Sequence, residues 1–143
     1  MTGDPQALAQ ASADSMWSQD TASRHLGMRI EQVAPGFAIL SMPVASFMTN
    51  GIGICHGGYI FTLADSTFAF ACNSYNQIAV AQQASVTFLA PAHFGDRLTA
   101  TAREVSRKGR GGLYDVSVIN QNGEQIAEFR GHSRTIKGTH VEP

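Results

Sequence analysis

From Tyr59 to Cys72 the chain runs YIFTLADSTFAFAC, and Asp65 is the only charged side chain in that stretch. Aspartate is a mediocre helix former, and its charge costs several kcal/mol to bury without partners. Two explanations compete: a structural acid satisfied by a neighbouring hydroxyl such as Ser66 or Thr67, or an acid kept for chemistry. His56-Gly57-Gly58 opens the same stretch, after the flexible Asn50-Gly51-Ile52-Gly53. Small residues at a helix start let a ligand approach free backbone N–H groups at the positive end of the helix dipole. Such a place suits a phosphate or a developing oxyanion. It is no P-loop, because Gly-Lys-Ser/Thr is missing, and tight helix–sheet packing is the rival reason for Gly57-Gly58.

Spacing decides how these groups can meet. Asp65 is eight residues beyond Gly57, about 12 Å along a straight helix. One carbonyl cannot be held by Gly57 and attacked through Asp65 of the same helix. Two copies packed antiparallel across a two-fold axis would bring each Asp65 to the other copy's Gly57, so a shared site demands a dimer. Other reactive groups offer less. Cys55 and His56 are adjacent, so their side chains diverge. The five histidines (His25, His56, His93, His132 and His140) show no HxH or HExxH spacing, and no protein-bound metal is expected.

The element that must position Asp65 and Gly57 is a long helix over residues 56 to 74, apolar nearly all round and therefore in need of cover on every side. Before it, residues 5 to 18 read as a helix with Pro5 in its first turn, and a short second helix runs from Asp20, a good N-cap, to Gly27. MRIEQVA and FAILSMPV, joined by Pro35-Gly36, form a hairpin. After the helix, residues 77–92, 96–108, 111–120 and 124–137 favour strands, the last two joined by Asn122-Gly123. This order predicts an α+β fold: short helices over 1–27, the main domain over 28–137 and a frayed tail over 138–143.

Composition narrows the partners. A length of 143 residues suits one domain that buries ~70% of its unfolded surface. The net charge of −1 gives no general attraction for nucleic acid or an anionic membrane. There is no apolar run of about 18 residues to span a bilayer. The N-terminus carries Asp4 and Asp14 and lacks the basic start of a signal peptide, and two cysteines suit a reducing compartment. A cytoplasmic protein is expected.

Asn50, His56-Gly57-Gly58 and Asp65 in this order resemble the hotdog-fold acyl-CoA thioesterases, most closely the PaaI-type branch that acts on phenylacetyl-CoA in bacterial phenylacetate degradation. The likeness extends through MWSQDTASRHLGM, NGIGICHGG, LADSTFAFACNS, FLAPAHFGDRLTATA and GLYDVSVINQNGEQIAEFRGHS, nearly the whole chain. It implies a long helix wrapped by a curled antiparallel sheet, paired into homodimers with shared sites and further into homotetramers. Carried over by residue, Asp65 is the catalytic carboxylate and the Gly57 N–H points at the thioester carbonyl. His56 and Asn50 wall the carbonyl and the leaving sulfur. Gly58, Ser66, Tyr59 and Phe61 are expected around the substrate. Lys108, Arg110 and Arg134, with Arg107, are expected to meet the coenzyme A phosphates, although a solvated hairpin tip explains any one of them. No cofactor is implied, since coenzyme A belongs to the substrate. Some relatives hold the water with a hydroxyl on the strand after the helix; here that position is Ala81, with Ser66, Thr67 or Ser85 as substitutes.

Three other functions remain open. A medium-chain acyl-CoA thioesterase differs only in its acyl group. A hotdog hydratase or dehydratase needs an acid before the histidine of the loop-to-helix segment, and none lies between Glu31 and His56. A non-catalytic acyl-CoA binding module has no need of Asp65.

Overall fold

The computed structural model describes residues 3–143, so Met1 and Thr2 of the 1–27 segment lie outside the described residues. The elements are α1 (Pro5–Gln19), α2 (Thr21–His25), β1 (Arg29–Ala34), β2 (Phe37–Pro43), α3 (Gly57–Cys72), β3 (Ala79–Phe88), β4 (Arg97–Lys108), β5 (Gly111–Ile119) and β6 (Gln125–Thr135). Local chemistry sets their ends. Asp4 caps α1 by accepting from Gln6 N–H at 3.0 Å, with Pro5 in the first turn. Asp20 caps α2 through Ser23 N–H and the Ser23 hydroxyl. At the Pro35-Gly36 turn, Gly36 has φ +68°, and a Cβ there would lie 2.8 Å from the Tyr75 hydroxyl oxygen. Glycine is required at that turn on both counts.

The six strands form one antiparallel sheet in the order β1-β2-β4-β5-β6-β3. After β2 the chain crosses through α3 to the far edge, lays down β3, and returns to place β4 beside β2. α3 lies across one face of this sheet and buries Ile60, Leu63, Ala64, Thr67, Phe68, Phe70 and Ala71. The sheet meets it with small side chains, Ala38, Ala100, Ala102 and Ala127, all buried. The packing is tight at Gly131, where a Cβ would stand 2.7 Å from the Phe68 ring. This is the hotdog arrangement, a long helix against an antiparallel sheet.

Within one protomer the helix is not covered on every side: Gly58 is exposed, and Thr62, Asp65 and Ala69 along the same stripe stay half-buried. Glycine, threonine, aspartate and alanine make that stripe small and polar, so the apolar appearance of α3 comes from its other faces. The segment 138–143 is not frayed. Asn76 Oδ1 accepts from the N–H groups of His140 and Val141, and Asn76 Nδ2 donates to Val141 O, all at 3.0 Å. His140 Nε2 donates to Asn73 Oδ1 at 2.7 Å, an orientation required because Asn73 Nδ2 donates to Ala69 O and Ala79 O. The Ser15 hydroxyl in α1 donates to His140 O, tying both ends of the chain together.

α1 buries Ala9, Ser12 and Ala13, short side chains that let it lie close to β1, where Gln6 Nε2 donates to Val33 O. Trp17 meets Phe70 of α3 with ring centroids 6.2 Å apart. At the other end of the sheet, β3 pairs among the described residues with β6 alone, and its ten residues are mostly exposed. A long edge with unpaired N–H and C=O groups is a ready template for another strand. No described helix is long and apolar enough to cross a membrane.

Candidate active site

The loop before α3 is held by its own asparagine. Asn50 Oδ1 accepts from Ile52 N–H and Ile54 N–H at 3.0 and 3.1 Å, and Asn50 N–H donates to Ile54 O at 2.8 Å. The carbonyl of the Asn50 side chain is thereby spent inside the loop, which leaves its NH₂ as the free donor. Gly53 turns the loop at φ +80°. Cys55 N–H donates to Ala92 O and His56 N–H to Met48 O, both at 2.8 Å, which anchors the entry to the helix.

His56 occupies the N-cap position without capping, for its side chain makes no bond to the first turn. The N–H groups of Gly57 and Gly58 have no acceptor among the described residues. The start of α3 therefore presents two free donors and a positive dipole end beside exposed His56. Gly57 also serves packing. A Cβ on it would lie 2.6 Å from Cζ of Phe88, so the two explanations for this glycine hold together.

Asp65 lies two turns further on, half-buried, and its carboxylate accepts no hydrogen bond among the described residues. The hydroxyls able to satisfy it are engaged elsewhere. Ser66 Oγ lies 2.8 Å from Ser23 Oγ of α2, and Thr67 Oγ1 donates to Leu63 O at 2.7 Å. Burial strips solvent from the Asp65 carboxylate and raises its pKa. Such an acid destabilises the fold and remains basic, which is what proton transfer from water requires.

The remaining residues fall into three places. Phe61 packs against Phe129 of the sheet with centroids 5.4 Å apart, and Tyr59 stands edge-on to Phe47 at 6.0 Å. Ala81 pairs with Ser133, whereas Ser85 pairs with Arg130 on the outward-facing row. Ser85 is thus turned away from α3, and none of the hydroxyls of Ser66, Thr67 and Ser85 is free beside Asp65.

The cations divide by strand alternation. Lys108, Gly111 and Arg134 pair across one outward row, so Lys108 and Arg134 flank a glycine on the same face. Arg107 is on the opposite face, its guanidinium 3.5 Å from the Tyr75 ring centroid and its Nε 3.8 Å from Glu104 Oε1. Arg110 at the hairpin donates Nε and one terminal nitrogen to Thr135 O. Lys108 and Arg134 have no ion-pair partner among the described residues; Arg107 is held by Tyr75 and Glu104, and Arg110 spends two of its N–H groups on Thr135 O.

An apolar groove borders the helix start, lined by Ile54, Cys55, Gly57, Ile60, Phe88 and the segment 89–92. Its members from β3 onward lie in FLAPA, a stretch whose role depends on the pairing of β3 with β6 and so is invisible to spacing along the chain. No cluster of metal-ligating side chains occurs among the described residues.

Comparison with known proteins places this geometry among relatives. A family model described as the thioesterase superfamily matches residues 52–127, a span that holds both Gly57 and Asp65. The acyl-coenzyme A thioesterase PaaI of Escherichia coli is 42% identical over 131 residues, covering 92% of this chain and 94% of that protein. The solved structure of the E. coli PaaI protein from the phenylacetic acid degradation operon superposes with a TM-score of 0.93 at 40% identity, over 95% of this chain and 99% of that one. A Streptococcus mutans protein solved with acetyl-CoA bound gives a TM-score of 0.74 at 28% identity, over 78% of this chain and 90% of that one.

Proposed function

Because this chain belongs to the thioesterase superfamily, we propose that it hydrolyses acyl-CoA thioesters to free acid and coenzyme A, with phenylacetyl-CoA or its ring-hydroxylated forms as substrate. The observation that carries this reading is the unpartnered Asp65 on a helix whose uncapped start offers the Gly57 N–H. The likeness to PaaI supports the acyl group, and the acetyl-CoA bound to the S. mutans protein supports the coenzyme A half.

The chemistry follows from those groups. The thioester oxygen accepts from Gly57 N–H, and the positive helix end stabilises the charge that gathers there. Asp65 takes a proton from water as the water oxygen attacks the carbonyl carbon. The tetrahedral species collapses with loss of the coenzyme A thiolate, a good leaving group that needs no strong acid at sulfur. Asn50 NH₂ and His56 border the same carbonyl.

Geometry further supports a homodimer. Gly57 and Asp65 of one helix are about 12 Å apart, too far to serve one carbonyl. The half-covered stripe Gly58, Thr62, Asp65 and Ala69 and the open β3 edge are the surfaces that a second copy would cover. Each site then takes its donor from one protomer and its base from the other, and two dimers make the tetramer in this reading.

A panel of acyl-CoAs, read by free thiol released, tests the activity. Phenylacetyl-CoA should be the best substrate, ahead of hexanoyl-CoA. Loss of enoyl absorbance from crotonyl-CoA without thiol release would instead identify a hydratase, and saturable binding without turnover a binding module. For the nucleotide end, Lys108→Ala with Arg134→Ala should raise KM for acyl-CoA several-fold while leaving hydrolysis of a short acyl-pantetheine nearly unchanged. Equal damage to both substrates would remove the outward row from coenzyme A binding.

A further inference from the structure

Phe88 ends β3, and β6 fixes its backbone: it pairs with Ala127, and Leu89 N–H donates to Ile126 O at 2.8 Å. Ala127 is fully buried beneath α3, so the register turns Phe88 toward the helix-bearing face. There its ring lies against Gly57, and the residue as a whole stays 50% exposed. A flat apolar wall thus stands directly beside a free N–H donor. The groove to which it belongs is also lined by Ile54, Cys55, Ile60, Ala90, Pro91 and Ala92. Cys55 adds bulk rather than reactivity, since burial pushes its thiol up to about 11.

A carbonyl oxygen bound to Gly57 N–H brings its acyl carbon to the mouth of this groove. We infer that the groove takes the acyl group and that Phe88 selects flat aromatic acyl groups by stacking on them, which rests on Gly57 donating to the thioester carbonyl. Aromatic pairs gain attraction beyond the area they bury. An alkyl chain in the same place gains only contact area and must freeze its rotors. Gly57 acts twice here, since its N–H holds the oxygen and its missing Cβ lets the ring come close enough to flank the acyl carbon. Small side chains at Ala90 and Ala92 add little bulk to the same groove.

The test compares kcat/KM for phenylacetyl-CoA and hexanoyl-CoA in wild type, Phe88→Leu and Phe88→Tyr. Leucine keeps apolar bulk on Gly57 without a π face; tyrosine keeps the ring. The phenylacetyl-to-hexanoyl ratio should fall about three- to tenfold in Phe88→Leu and stay within about twofold of wild type in Phe88→Tyr. A wild-type preference for phenylacetyl-CoA that persists in Phe88→Leu overturns the role of Phe88 and leaves the proposed substrate intact. A wild-type enzyme with no such preference overturns the substrate and the stacking role together. Size-exclusion chromatography guards against a different occupant: dissociation of Phe88→Leu, with both substrates failing equally, would make this groove an interface between copies and also overturn the inference.

Discussion

Asp65→Asn is expected to lower kcat by about 10²–10⁴ while acyl-CoA binding and the fold survive. The amide is nearly isosteric with the carboxylate but cannot take a proton from water. The hydroxyls of Ser66 and Thr67 are bonded elsewhere and Ser85 faces outward, so none of these three takes its place. Stability should move in the opposite direction from activity. Burial places the Asp65 pKa in the fold above its unfolded value. The fold therefore loses stability as pH rises through the folded pKa, and below the unfolded pKa that loss is absent. At pH 7 asparagine removes the penalty, so the variant should melt at the same temperature as wild type or higher. The same shift moves the acid limb of the kcat–pH profile upward from where an ordinary aspartate would put it, with activity rising as Asp65 ionises. Near-normal turnover in Asp65→Asn, or a marked fall in its melting temperature, would make Asp65 a structural acid.

The second large effect is recovery of activity by mixing two inactive chains. One carries Asp65→Asn. The other carries Gly57→Pro, which removes the N–H, together with Phe88→Ala, which clears the space where a Cβ would stand 2.6 Å from Cζ of Phe88. Proline is tolerated at the first helical position, and His56 already has the extended backbone, ψ 135°, that a residue before proline needs. Each homodimer has two broken sites. A mixed dimer has one site with every defect and one with none, because the intact site draws Gly57 and Phe88 from one chain and Asp65 from the other. Co-expression should restore up to about half of wild-type activity per mixed dimer, or roughly a quarter in a statistical mixture. Folded mixed dimers as inactive as their parents would show that Gly57 and Asp65 do not meet across the interface.

Much of the fold is written in local signals. α3 is a long apolar run begun by two glycines, and the hairpins are marked by Pro35-Gly36 and Asn122-Gly123 at their turns. The proposed donor and acid stand out in the sequence for a related reason, since an acid in an apolar run and glycines at a helix start both violate local preference. What escapes the sequence depends on register or on side-chain amides. Nothing periodic announces that Asn73 and Asn76 hold residues 138–143, because each bond joins a single side chain to distant backbone or to His140. Asn76 has φ +60°, which asparagine tolerates better than most residues, but the strain is only visible in three dimensions. Closeness in sequence groups Lys108 with Arg110, whereas the pairing of β4, β5 and β6 puts Lys108 in line with Arg134. The contact between Phe88 and Gly57 is hidden for the same reason.

The bond from Ser15 to His140 spans 125 residues of sequence. On the ribosome that span takes roughly 6–25 s to make at ordinary elongation rates. Through that interval α1 can form as a helix but cannot complete its docking, since the carbonyl that receives the Ser15 hydroxyl does not yet exist. The sheet is also incomplete until β6 emerges, because β6 is the strand that joins β3 to the rest. Docking of α1 against residue 140 must therefore follow emergence of that residue from the ribosome, and a nascent chain stalled before residue 125 should remain open to protease along β3.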